Sequence, residues 1–246
     1  MLVEPAQPAR NLARAEDRIA DGASAGAEIV LLPECLDLGW THPSARELAT
    51  TIPDGAVCQR LTAAARRHRV FVCAGFVESA GPVRFNAAVL IDPDGQVLLH
   101  HRKIHELDFA RELYSTGDRL GVADTPWGRI GLMICADGFA PGQAISRTLA
   151  AMGATVILSP CAWAVPADHD NDRNPYGGLW LDNYGAVCRD AGIVIAGCSN
   201  VGPITAGPWE GRLCIGNSLV IGAKGERVTT GPHGATADTV IRIDLD

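Results

Sequence analysis

The chain has 246 residues, 47% of them hydrophobic and 20% charged, with a formal net charge of −7. That length supports one large domain with a substantial core, and that balance excludes extended disorder. The acidic excess argues against a nucleic-acid partner, the basic runs at 66–69 and 100–103 being too short to offset it, and no apolar stretch approaches the ~20 residues that a membrane helix needs.

From Pro8 to about Ala25 the apolar positions Leu12, Ala15, Ile19 and Ala23 recur at helical spacing, and Gly26 ends that helix. "EIVLLPE" follows as a buried strand closed by Pro33. A second helix over about 55–68 precedes a strand over 71–77. "NAAVLI" and "QVLLHHRK" flank "DPDG" at 92–95, a type I turn joining antiparallel strands. "RIGLMIC" is a further strand, leading to a helix that begins near Pro141 and turns Ile145, Leu149 and Met152 inward. The order continues with "TVILSP", a polar loop at 167–174, a helix over about 174–190, and the strands "IVIAGCSN", "GNSLVIG" and "TVIRIDL". Strands alternating with helices, interrupted by a hairpin, predict an α/β fold with mixed sheets covered by helices.

Eight cysteines are present, but no Cys-x-x-Cys pair occurs and most lie inside apolar runs, as Cys73 and Cys198 do. With no signal-peptide pattern in "MLVEPAQPARN", this usage points to a reducing cytoplasm. The seven histidines are scattered and form no metal-ligand spacing, so no metal and no cofactor is expected.

Three chemically capable residues sit where apolar runs stop. Glu34 follows "VLLP", Lys103 follows "VLLHHR", and Cys135 ends "GLMI". Each alone reads as readily as a solvated loop charge or a buried thiol. Together they suit one reaction. A thiol is mostly protonated at neutral pH, and its thiolate is the nucleophile. A carboxylate can take that proton and later return it to a leaving amine. An ammonium, with the backbone N–H of Ala136, can stabilise the oxyanion formed when sulfur attacks a carbonyl or nitrile carbon.

"LLPE", "HRKIH" and "GLMICADGFAP", followed by "RTLAAMGATVILSP", resemble the three signature blocks of the nitrilase superfamily of carbon–nitrogen hydrolases. They come in that family's order, 69 and 32 residues apart. The resemblance implies a four-layer αββα sandwich with mixed sheets, one carbon–nitrogen hydrolase domain over residues 1–246, and a homodimer or higher homo-oligomer. It implies Glu34 as general base, Lys103 as oxyanion stabiliser and Cys135 as nucleophile. It also implies a second glutamate after the lysine, for which Glu112 is the candidate and Glu106 the rival.

Some features depart from that pattern. Only "MLVEP" precedes the first helix and the chain stops at Asp246, so a first strand and a C-terminal extension are expected to be short or missing. Ala136-Asp137 follows the cysteine, and "CRDAG" stands at 188–192 where the family has another helix ending. Trp40 and Trp163 are candidate walls of a substrate pocket. Arg173 could pair with a substrate carboxylate. The expected reaction is hydrolysis of a small linear amide or N-carbamoyl (ureido) compound, with nitrile hydrolysis, acyl transfer to an amine and a non-catalytic binding role as alternatives.

Overall fold

The computed structural model describes residues 1–245. Helix α1 (Pro8–Ser24) starts with proline in its first turn and buries Leu12, Ala15 and Ile19. It stops before Gly26, whose φ of +81° reverses the chain into β1 (Ile29–Leu31). After the single turn α2 (Ala45–Leu48) and helix α3 (Ala56–His68), strand β2 (Phe71–Ala80) pairs parallel to β1. Strands β3 (Val83–Ile91) and β4 (Val97–Arg102) then follow as successive hairpins, giving a sheet in the order β1-β2-β3-β4. The 92–95 turn closes as expected, with Gly95 N–H donating to the Asp92 carbonyl at 2.9 Å. The tight β2–β3 hairpin was not anticipated.

The second sheet has six strands. Strands β5 (Val122–Thr125) and β6 (Gly128–Leu132) form a hairpin, and helix α4 (Ala144–Ala151) crosses to β7 (Ala154–Cys161). Helix α5 (Gly178–Ala191) crosses from β8 (Ala164–Val165) to β9 (Val194–Ser199). β10 (Val201–Pro203), β11 (Leu213–Ile215), β12 (Leu219–Ile221) and β13 (Arg227–Thr230) complete the chain. The order is β13-β12-β9-β7-β6-β5, parallel across β6, β7 and β9 and antiparallel at both flanks. β8, β10 and β11 make a separate small sheet.

Alternation along β2 explains the layers. Val72, Ala74 and Phe76 pack with Leu12, Ile19 and Leu61 of α1 and α3. Phe71 and Cys73 point the other way and join Ile130, Leu132 and Ile157 of the second sheet. α4 and α5 cover that sheet's outer face with Leu149, Trp180, Tyr184 and Val187. The result is helices, sheet, sheet, helices, the expected αββα sandwich.

Three local expectations are corrected. α4 begins at Ala144 because Gly142 and Gln143 both have positive φ, and Met152 lies past its end, 36% exposed, not on its inner face. α5 begins at Gly178, because the Asn171 side chain takes the Tyr176 N–H and holds the preceding segment in a turn. "TVIRIDL" forms no strand; Arg242 instead donates to the Ala25 carbonyl at 2.9 Å. The segment lines a mostly apolar cavity of about 700 Å³ along the free edge of β1, with Ile29, Leu31, Trp127, Val156, Ala196 and Leu219. Among the described residues no helix is long and apolar enough to cross a membrane.

Candidate active site

Glu34 leaves β1 through Pro33 and is held between the two sheets. Its N–H donates to the Cys161 carbonyl of β7 at 3.2 Å, and Leu36 N–H donates to the Gly75 carbonyl of β2 at 2.9 Å. Gly75 is required by proximity: a Cβ there would lie 2.8 Å from Glu34 Cα and 2.9 Å from Pro160 Cβ. Lys103 directly follows β4, and its N–H donates to the Asn86 carbonyl of β3 at 2.9 Å. Cys135 follows β6 at a φ of +44°, opening a short 3-10 turn over Cys135–Phe139. A side chain in that left-handed region is strained, and Ser159 of β7 holds it there by accepting the Cys135 N–H at 3.1 Å.

The side chains converge. Lys103 Nζ donates to Glu34 Oε1 at 2.8 Å, both side chains being 1% exposed. Asn86 Nδ2 donates to the same oxygen at 2.5 Å, while Glu34 Oε2 is buried without a partner. Burial pulls the Lys103 ammonium down, yet Glu34, Glu106 and Cys135 together outweigh it and hold its pKa well above the ordinary value. Burial, aided by Cys161 and Glu34, pushes the Cys135 thiol well up, with Lys103 opposing. These shifts favour a protonated Cys135 and a charged Lys103 hydrogen-bonded to Glu34.

Of the two candidates for the second glutamate, Glu106 lies beside Lys103 and Glu112 is exposed. Glu106 is buried, with Oε2 3.8 Å from Lys103 Nζ and neither oxygen hydrogen-bonded. Burial raises its pKa to about 8, with Lys103 opposing and Glu34 adding. Glu112 ends the next 3-10 turn, Asp108–Glu112, on the exposed surface.

The pocket candidates divide. Trp40 is buried, its ring 5.8 Å from Lys103 Nζ, and it packs edge-on against Phe109 and Trp209 at 5.7 and 4.9 Å. Trp163 is buried and stacks on Trp180 at 4.9 Å, within the aromatic packing under α5. Arg173 has its side chain 88% exposed and pairs with Asp170 at 3.3 Å. Ala136 is buried in the first turn after Cys135. Asn86 and Ser159 went unread in the sequence, although an asparagine inside the apolar run of β3 was a usable signal. No group of three or more metal-ligating side chains occurs among the described residues.

The carbon-nitrogen hydrolase family model matches residues 3–246. Omega-amidase NIT2 of Danio rerio is 31% identical over 97% of this chain and 83% of that protein. A nitrilase of Pyrococcus abyssi is 37% identical over 65% of this chain, which spans 62% of that relative's length. The solved amidase from Nesterenkonia sp. AN1 superposes with a TM-score of 0.79 at 25% identity, covering 95% of this chain and 87% of that one. With matching fold, motif order and converging side chains, this chain belongs to the carbon-nitrogen hydrolase family.

Proposed function

We propose that the protein hydrolyses the C–N bond of a small linear amide through a thioester on Cys135. Glu34, through its unpartnered Oε2, takes the thiol proton as sulfur attacks the carbonyl carbon. Lys103 and the Ala136 N–H receive the developing oxyanion. Glu34 then protonates the leaving ammonia or amine, and on the return step activates the water that hydrolyses the thioester. Glu106 takes the second-glutamate role, orienting Lys103 from below. Trp40 supplies an apolar wall; Trp163 supports the pocket from within the core.

The observation carrying this reading is the buried Lys103–Glu34 contact at 2.8 Å, both partners of which bear electrostatically on the Cys135 thiol. An ammonium and carboxylate buried together cost desolvation free energy, which a chemical role justifies better than stability does. The exposed Arg173 lends no support to an anionic ureido acid, so a plain amide is preferred. The eight free thiols support a cytoplasmic setting, and relatives of this family suggest a homo-oligomer.

An ammonia-release screen over small amides, ureido acids and nitriles tests the proposal. Amides should give the highest kcat/KM. Cys135→Ala should remove turnover while its melting temperature stays near that of the parent. Retained turnover in that variant would place the nucleophile elsewhere, and preferred transfer to added hydroxylamine would make the protein an acyltransferase.

A further inference from the structure

Asp137, two residues past the nucleophile, is fully buried and accepts four hydrogen bonds. Its Oδ1 takes the backbone N–H groups of Ile104 at 3.1 Å and His105 at 2.7 Å, the two residues after Lys103. Its Oδ2 takes the N–H of Ile134, the residue before Cys135, at 2.9 Å. It also takes Nε2–H of His101, two residues before Lys103, at 2.8 Å. His101 is itself buried, 3% exposed. Donors from both sides of the lysine and from the residue before the cysteine therefore end on one carboxylate.

Only an ionised carboxylate offers two oxygens with room for four donors and nothing that must be donated in return. Burial pushes the Asp137 carboxyl up, but His101 and the amides of His105 and Ile134 outweigh it and hold its pKa below the ordinary value.

We propose that Asp137 is a positioning residue, clamping the lysine-bearing loop of the first sheet onto the cysteine-bearing turn of the second, with His101 as the side-chain arm of the clamp. The proposal deepens the reading that Lys103 and Cys135 act together. The two residues belong to different sheets, so their separation is set by whatever ties those sheets at this end. Misplacement by about 1 Å can cost ~10²-fold in rate, so a clamp of charge-assisted hydrogen bonds bears directly on chemistry.

Asp137→Asn keeps the shape and loses half the clamp. Its amide NH₂ must face either the two lysine-loop amides or Ile134 and His101. In the second orientation His101 can change tautomer and accept, because its Nδ1 has no partner. The Ile134 N–H is still left unpaired beside Cys135. His101→Phe removes one donor and keeps a ring; His101→Gln restores a donor.

The test reads iodoacetamide labelling of each cysteine in the intact protein at one neutral pH, with kcat and KM beside it. In Asp137→Asn, Cys135 labelling should slow roughly tenfold while kcat falls about 10²-fold and KM stays within about threefold. Buried Cys73 and Cys161 should stay protected. His101→Phe should show the same pattern more weakly, and His101→Gln should recover part of it. If Asp137→Asn does not fold, the two His101 variants decide the matter by the same reading. Unchanged Cys135 labelling overturns the clamp, as does faster labelling of Cys135, Cys73 and Cys161 together, the sign of general loosening. Labelling needs no turnover, so it judges the clamp even if the amidase reading fails.

Discussion

β1 divides a filled region from an unfilled one. On its β2 side, Gly75 lies so close to Glu34 and Pro160 that one added methyl has nowhere to go. Along its free edge, the same strand lines a cavity of about 700 Å³ that contains none of Glu34, Lys103, Glu106 or Cys135. This cavity is therefore separate from the proposed reacting side chains. The filled side carries the features that cost free energy: a buried ion pair, a carboxyl without hydrogen bonds, and Cys135 at positive φ. The unfilled side holds no such ion pair; apart from Asn217 at a φ of +60°, it mainly forgoes contacts. Such a division fits a protein whose close packing is concentrated where geometry matters for reaction.

After removal of Cys135 itself, the largest expected effect comes from Lys103→Met on the filled side. Losing the oxyanion donor should lower kcat by ~10²–10³, by analogy with other oxyanion-hole deletions. A loss under tenfold would remove the lysine from that role. Gly75→Ala comes next: its Cβ collides with the Glu34 backbone, so stability should fall by about 1–3 kcal/mol and kcat with it. Unchanged stability in chemical denaturation would show that the two sheets can part here without cost.

Glu106→Gln probes the cost of the site through pH. The carboxyl ionises near 4.5 in the unfolded chain and near about 8 in the folded one. Between those values the folded protein holds a proton that the unfolded chain has released, so this group makes stability fall as pH rises and level off above about 8. The glutamine variant should lose that slope and gain most over the parent at the alkaline end, read from denaturant midpoints across the window. An unaltered slope would place the buried proton elsewhere.

These residues were unequally legible in the sequence. Glu34, Lys103 and Cys135 could be found because each ends an apolar run, and strands of a sandwich deliver their ends to one place. Counting residues past the lysine does not show that Glu106 is the glutamate buried beside Lys103 and Glu112 the exposed one. "TVIRIDL" has the alternation of a strand, but a strand also needs a partner edge, which periodicity does not report. The sequence likewise did not show that Arg173 would find a local partner on the surface in Asp170, three residues away.

The smallest effect should come from the unfilled side, and it completes the contrast with Gly75. Ala196 on β9 is half-buried and faces the cavity, so Ala196→Leu adds apolar surface where space exists. Burying those carbons should raise stability by about 1 kcal/mol. Activity should not change, because the cavity touches none of the reacting side chains. The same kind of change, carbon added beside β1, then destabilises on one side of the strand and stabilises on the other. If Ala196→Leu destabilises instead, the space is already closed in solution, with the 239–245 segment drawn inward against Ile29 and Leu31.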